Sequence, residues 1–177
     1  YCVPARNGPI DPAHEARVKA DYAGFRARNR QQLSAFGSML PPPEPSALAV
    51  DDEARRRAFD ARWALGGFAF GRTFRDLGTD PRANELAAQY IRDRIAETVA
   101  DPATARRLTP THAILCKRLC VDSGYYETFN RPNVRLVSLH EQPIERFEAH
   151  GLVAGGEPMP FDDVVFATGF DAMTGSA

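Results

Sequence analysis

Cys116-Lys117-Arg118-Leu119-Cys120-Val121-Asp122-Ser123-Gly124-Tyr125-Tyr126-Glu127-Thr128-Phe129-Asn130-Arg131-Pro132-Asn133-Val134 is the stretch on which the reading of this chain turns. Two cations stand side by side near its start, and Asn130-Arg131-Pro132-Asn133 closes it with a turn. Before it the sequence is patterned for helices, and after it for strands, so the pair lies at a seam between the two. Lysine is a compact ammonium suited to a phosphate as a point charge. Arginine is a planar cation that stays charged at any working pH and holds an oxyanion in fixed geometry. A bare Lys-Arg dipeptide is usually an ordinary exposed basic pair, and only the surrounding stretch singles this one out.

Upstream, four aspartates announce helix starts. Asp11-Pro12, Asp80-Pro81 and Asp101-Pro102 each combine an N-cap with a proline at the first helical position, and Asp51 precedes Asp52 and Glu53. Val18, Tyr22, Phe25, Leu33 and Phe36 predict one amphipathic helix that runs from Pro12 to a stop at Gly37. Its arginines are read as a solvated face. Pro41, Pro42, Pro43 and Pro45 mark a rigid spacer, with an SH3-like ligand as the lesser reading. Phe59 and Trp63 share a helix face that ends at Gly66-Gly67, with Trp63 as a core anchor. Phe68, Phe70 and Phe74 fall in a glycine-rich loop, either packing the core or lining a substrate entrance. Leu86, Tyr90, Ile91, Ile95 and Val99 form the stripe of the next helix, and a short one follows through Leu108. Tyr1 to Ile10, with Pro4, Gly8 and Pro9, reads as a connector.

Downstream, Val134–Leu139, Ile144–Phe147 and Leu152-Val153 read as strands, with a turn at Gly155-Gly156. Phe161–Asp171 has the continuous apolar core of a strand buried on both faces, and it ends in Ala167-Thr168-Gly169. Gly169 permits close approach of the backbone to a cofactor or a neighbouring segment; a plain strand-ending turn is the other reading.

The 177 residues suit one domain or pieces of two, and 44% hydrophobic content suffices for a core. A net charge of −1 supplies no basic field for nucleic acid or a membrane surface. No apolar run reaches membrane-spanning length and no signal peptide is visible, so the cytoplasm is the default expectation. Cys2, Cys116 and Cys120 are too few and too odd in number for a disulfide framework. With His112 they still lack a fourth metal ligand, so buried or half-buried free thiols are expected. Both ends of the chain read as cut.

The stretch Cys116–Val134 resembles the motif that follows the helical insertion of Baeyer–Villiger monooxygenases. These flavoenzymes use FAD and NADPH to insert one oxygen of O2 beside a ketone carbonyl. Phe161–Asp171 resembles the strand and Ala-Thr-Gly turn by which two-dinucleotide flavoproteins return from the NADP-binding to the FAD-binding domain. The likeness extends to Tyr1-Cys2-Val3-Pro4, Gly66-Gly67 and Asp101–Arg106. It implies an α/β fold in which residues 1–115 form the helical insertion with its connectors. Residues 116–166 would be the β-rich second part of a Rossmann-like NADP-binding domain, and 167–177 the start of the return into the FAD domain. It further implies that Lys117 contacts the 2′-phosphate of NADPH. Arg118 would lie beside flavin and nicotinamide as the catalytic cation, with Thr168 and Gly169 also on the cofactor side.

The departures are as informative. Neither Gly-x-Gly-x-x-Gly fingerprint is in the chain, and nor is the Phe-x-Gly-x-x-x-His-x-x-x-Trp signature of that family. The expected partners are therefore the remainder of the FAD and NADP domains, a ketone and O2. The chain by itself is expected neither to hold FAD firmly nor to turn over. Two other readings stay open: a flavin monooxygenase that oxygenates amines or sulfides, and a non-enzymatic helical interaction module.

Overall fold

The computed structural model describes residues 1–32 and 40–169. It consists of two compact units, Tyr1–Val134 and Arg135–Ala177. Capping dictates the helices of the first unit. α1 (Pro12–Ala20) opens on Asp11, whose carboxylate accepts the Ala13 and His14 N–H groups. α3 (Asp52–Leu65), α4 (Pro81–Thr98) and α5 (Pro102–Leu108) are opened in the same way by Asp51, Asp80 and Asp101. α3 stops at Gly66, which has φ +72°, and a Cβ there would stand 2.6 Å from the Pro4 carbonyl oxygen. Only glycine fits both the dihedral and the approach.

The first amphipathic helix is two helices. α2 (Tyr22–Arg30) follows α1 after a break at Asp21, whose carboxylate accepts the Gly24 N–H at 3.0 Å and the Arg28 guanidinium at 2.9 Å. Aspartate competes for nearby backbone donors, so it caps a new helix instead of continuing the old one. Neither helix buries a residue, and Tyr22 is exposed. The continuation through Leu33 and Phe36 to the stop at Gly37 lies outside the described residues.

The core is aromatic. Phe59 of α3 packs its ring 5.3 Å from Phe70, 5.4 Å from Phe74 and 5.2 Å from Tyr90 of α4, and Trp63 meets Phe70 edge-on at 5.8 Å. Phe70 lies in a short 3-10 helix, Gly67–Arg72, where the sequence suggests a loop. Leu77, Ile91, Ile95 and Ile114 complete the buried cluster. The proline spacer is tied down: Arg62 is buried and donates to the Pro41 and Pro42 carbonyls at 2.8 and 2.6 Å.

The connector Tyr1–Ile10 contains β1 (Cys2–Pro4), which pairs in parallel with β2 (Cys120–Asp122). The partner lies more than a hundred residues away, so no local signal could reveal the strand. α6 (Tyr125–Thr128) follows β2 within the motif.

In the second unit β3 (Ile144–Glu148), β4 (Gly151–Ala154) and β5 (Glu157–Pro160) form an antiparallel sheet in the order β3-β4-β5. Gly155 and Gly156, at φ +56° and +77°, make the two-residue turn between β4 and β5. Two expected strands are not formed. Val134–Leu139 joins no ladder, and residues 161–169 lie outside any strand, with Val165 88% and Phe166 67% exposed. A strand buried on both faces needs neighbours on both edges, and the described residues supply none there. Phe170 and Asp171 of that expected strand lie outside the described residues.

Across the helical core, Asp60 of α3 accepts the Tyr90 hydroxyl at 2.7 Å and the Arg94 guanidinium at 2.6 Å. Partial burial raises the Asp60 pKa, but the Tyr90 hydrogen bond and the Arg56 and Arg94 cations outweigh it, leaving the group below its ordinary value. Burial first, then Asp60, pushes Tyr90 up to about 12. A depressed carboxylate contributes stability that is complete above its unfolded pKa of ~4 and is lost as pH falls through the folded value. Asp60→Asn is expected to cost ~1 kcal/mol at neutral pH, the scale of a partly exposed charged hydrogen bond. Thermal unfolding should then show a smaller loss of stability between pH 5 and pH 3 in the variant than in the wild type.

Candidate functional site

The motif is held from behind by one side chain. Asn84, in the first turn of α4, accepts the Ile114 N–H at 3.0 Å and donates to the carbonyls of Ile114 and Leu77, both at 2.8 Å. Ile114 is buried, so its peptide groups need these partners. The next residue, Leu115, has φ +70°, a left-handed conformation that costs a non-glycine residue roughly 1–2 kcal/mol. It turns the chain so that Lys117 and Arg118 face outwards and Leu119 returns to the core.

Leu115 and Leu119 seat on the 3-10 helix at Gly71, where a Cβ would come within 3.1 Å and 3.6 Å of their methyl groups. The same helix presents Phe68, over whose ring the Arg118 guanidinium lies at 5.5 Å. Lys117, Arg118, Arg72 and Phe68 line one concavity of about 480 Å³, with leucines on its remaining wall. Among the described residues no carboxylate lines it, and none is ion-paired to Lys117 or Arg118. Arg72 donates to Gln32 at 3.4 Å. Desolvation, followed by the Lys117 cation, lowers the His112 pKa, so near neutral pH the local positive charge rests on the lysine and the two arginines. Three cations beside an aromatic ring and an apolar wall suit a phosphate-bearing ligand with a flat, uncharged ring.

The two predicted cations thus share one cavity. Thr168 and Gly169 belong to the second unit, both exposed, Gly169 with φ +87° and open space where a Cβ would stand. The aromatic ambiguity divides: Phe70 and Phe74 are core, and Phe68 faces the cavity. Cys116 and Cys120 are exposed and only Cys2 is half-buried, against the expectation of sheltered thiols. Outward residues of the motif carry them, and the core positions go to Ile114 and Leu119 instead. Asn84, Arg72 and Leu115 escaped the sequence reading. An asparagine in a first helical turn is a hint of backbone bonding, but not of which backbone.

The same arrangement of elements occurs in solved monooxygenases. A steroid monooxygenase, in an oxidised state bound to NADP, superposes with a TM-score of 0.89 and 46% identity over 98% of this chain and 33% of that one. A Baeyer–Villiger monooxygenase of Pseudooceanicola batsensis is 39% identical over 99% of the chain. Over its whole length the chain is thus similar to Baeyer–Villiger monooxygenases and related monooxygenases. A phenazine N-monooxygenase of Lysobacter antibioticus is likewise 39% identical over 99% of the chain. The chain spans about a third (32%) of the length of these two curated relatives. No protein-family model matches. No helix among the described residues is long and apolar enough to cross a membrane.

Replacing Asn84 by alanine leaves a buried N–H and carbonyl of Ile114 without partners. The expected cost is about 1–3 kcal/mol in chemical denaturation, the penalty for an unsatisfied buried polar group. Asn84→Asp keeps the acceptor for the Ile114 N–H but sets a carboxylate oxygen against the Leu77 and Ile114 carbonyls, so it too should destabilise the fold.

Proposed function

We propose that this chain is part of an FAD- and NADPH-dependent Baeyer–Villiger monooxygenase that converts a ketone to an ester or lactone. The observation that carries the reading is the cavity in which Lys117 and Arg118 stand together with Arg72 and, among the described residues, no carboxylate. Residues 1–115 correspond in this reading to the helical insertion, 116–166 to the second part of the NADP-binding domain, and 167–177 to the return into the FAD domain. The exposed apolar residues Phe161, Val164, Val165 and Phe166 would be covered by the remainder of those domains, supplying the neighbours that a buried strand requires.

The donor set fits the coenzyme. Lys117 binds the 2′-phosphate as a point charge and so favours NADPH over NADH. Arg118, braced on Phe68, would stabilise negative charge developing at the reacting oxygen. Thr168 and Gly169, the latter with open space where a Cβ would stand, are assigned in this reading to the cofactor side. The bound flavin supplies the oxygen chemistry and NADPH the hydride. A second reading, N-oxygenation, draws on the phenazine N-monooxygenase relative.

In the complete enzyme, Arg118→Ala should cut ester formation by ~10²- to 10³-fold, as loss of one oxyanion donor does elsewhere. Retention of the wild-type rate would remove the role. Lys117→Ala should shift the NADPH/NADH ratio of kcat/KM by about 10- to 100-fold toward NADH, the value of one charged hydrogen bond to phosphate. Product analysis with a cyclic ketone against an aromatic N-heterocycle separates the two oxygenation chemistries.

A further inference from the structure

We propose that Cys2 and Cys120 form a cross-strand dithiol that a hydroperoxide oxidises to an intramolecular disulfide. The two residues are direct partners in the parallel pairing of β1 with β2. Hydrogen bonds on both sides lock this register: the Cys120 N–H donates to the Tyr1 carbonyl at 3.1 Å and the Ala5 N–H to the Asp122 carbonyl at 2.7 Å. In-register residues of neighbouring strands project to the same face about 4.8 Å apart. That spacing lies within the ~4.4–6.8 Å Cα window of protein disulfides, and closing the bond requires the Cβ atoms to approach to ~3.8 Å. The pairing involves only three residues on each strand.

The two thiols differ in the way a two-step oxidation needs. Cys120 is exposed and meets the oxidant first, whereas Cys2 is half-buried against the core. The Tyr126 hydroxyl accepts the Cys2 N–H at 3.3 Å, fixing the backbone at Cys2. The Cys120 thiolate attacks the peroxide O–O bond, giving a sulfenic acid and releasing hydroxide that is protonated to water. The Cys2 thiolate then displaces the sulfenic oxygen as a second water. Two thiols are oxidised and one hydrogen peroxide is reduced, with two waters formed. A small dithiol such as dithiothreitol reverses the bond by thiol–disulfide exchange. Cys116, also exposed, has no such partner position in the ladder.

The test is peptide mapping of the complete protein after brief exposure to dilute hydrogen peroxide and blocking of residual thiols. The expected product is a cross-linked pair of peptides carrying Cys2 and Cys120, removed by dithiothreitol. Cys120→Ser, at an exposed position, should abolish the cross-link and leave Cys2 open to alkylation, and Cys116→Ser should leave its yield unchanged. A thermal midpoint for Cys120→Ser equal to the wild type confirms the fold. A Cys116–Cys120 cross-link, or Cys120 carried to sulfinic acid while Cys2 stays reduced, would overturn the proposal. Neither outcome bears on coenzyme binding by Lys117.

Discussion

The Asn84 side chain governs the geometry on which this surface depends. Its single amide satisfies both main-chain groups of Ile114, thirty positions along the chain, and so fixes where the following residues begin. Leu115 can then hold a left-handed conformation that it would not adopt unaided, because the surrounding contacts over-determine it. From that turn Lys117 and Arg118 emerge on one side and Leu119 on the other. The position of the cation pair is thus set by hydrogen bonds from a residue that does not itself line the cavity.

The aromatic cluster supports this anchor. α4 carries Asn84 at its start and Tyr90 a turn and a half later, and Tyr90 packs on Phe59 and Phe70. Phe70 and Phe68 are two residues apart on the 3-10 helix, so the ring under Arg118 and the ring in the core are placed by the same short element. A helical segment with no chemistry of its own therefore determines the floor of the cationic cavity. The capped ends of α3, α4 and α5 give that segment its rigidity without a large share of buried charge.

Much of this was legible beforehand, and the misses share a cause. The starts at Asp11, Asp51, Asp80 and Asp101 were readable because a cap is decided within three residues. The stop at Gly66 was equally local. Asp21 shows the limit of periodicity: the apolar spacing continued across it, but its carboxylate had a nearer use. Strand β1 was hidden because its partner is Cys120–Asp122. Val134–Leu139 and Phe161–Gly169 have strand composition without strand partners, since β propensity becomes structure only where another edge offers hydrogen bonds.

By itself the sequence determined the capped helix starts at Asp11, Asp51, Asp80 and Asp101, the stop at Gly66, the change from helical to strand patterning across the motif, the adjacency of Lys117 and Arg118, and the family likeness carried by Cys116–Val134. Caps, turns and neighbouring residues act over a few ångströms of chain, and their physics is written in consecutive letters. Tertiary structure alone decided that Arg72 and Phe68 join the cation pair, that Asn84 anchors it, and that Cys2 faces Cys120. Those contacts close loops of thirty to more than a hundred residues. Which of many closures is realised depends on packing the whole aromatic core at once.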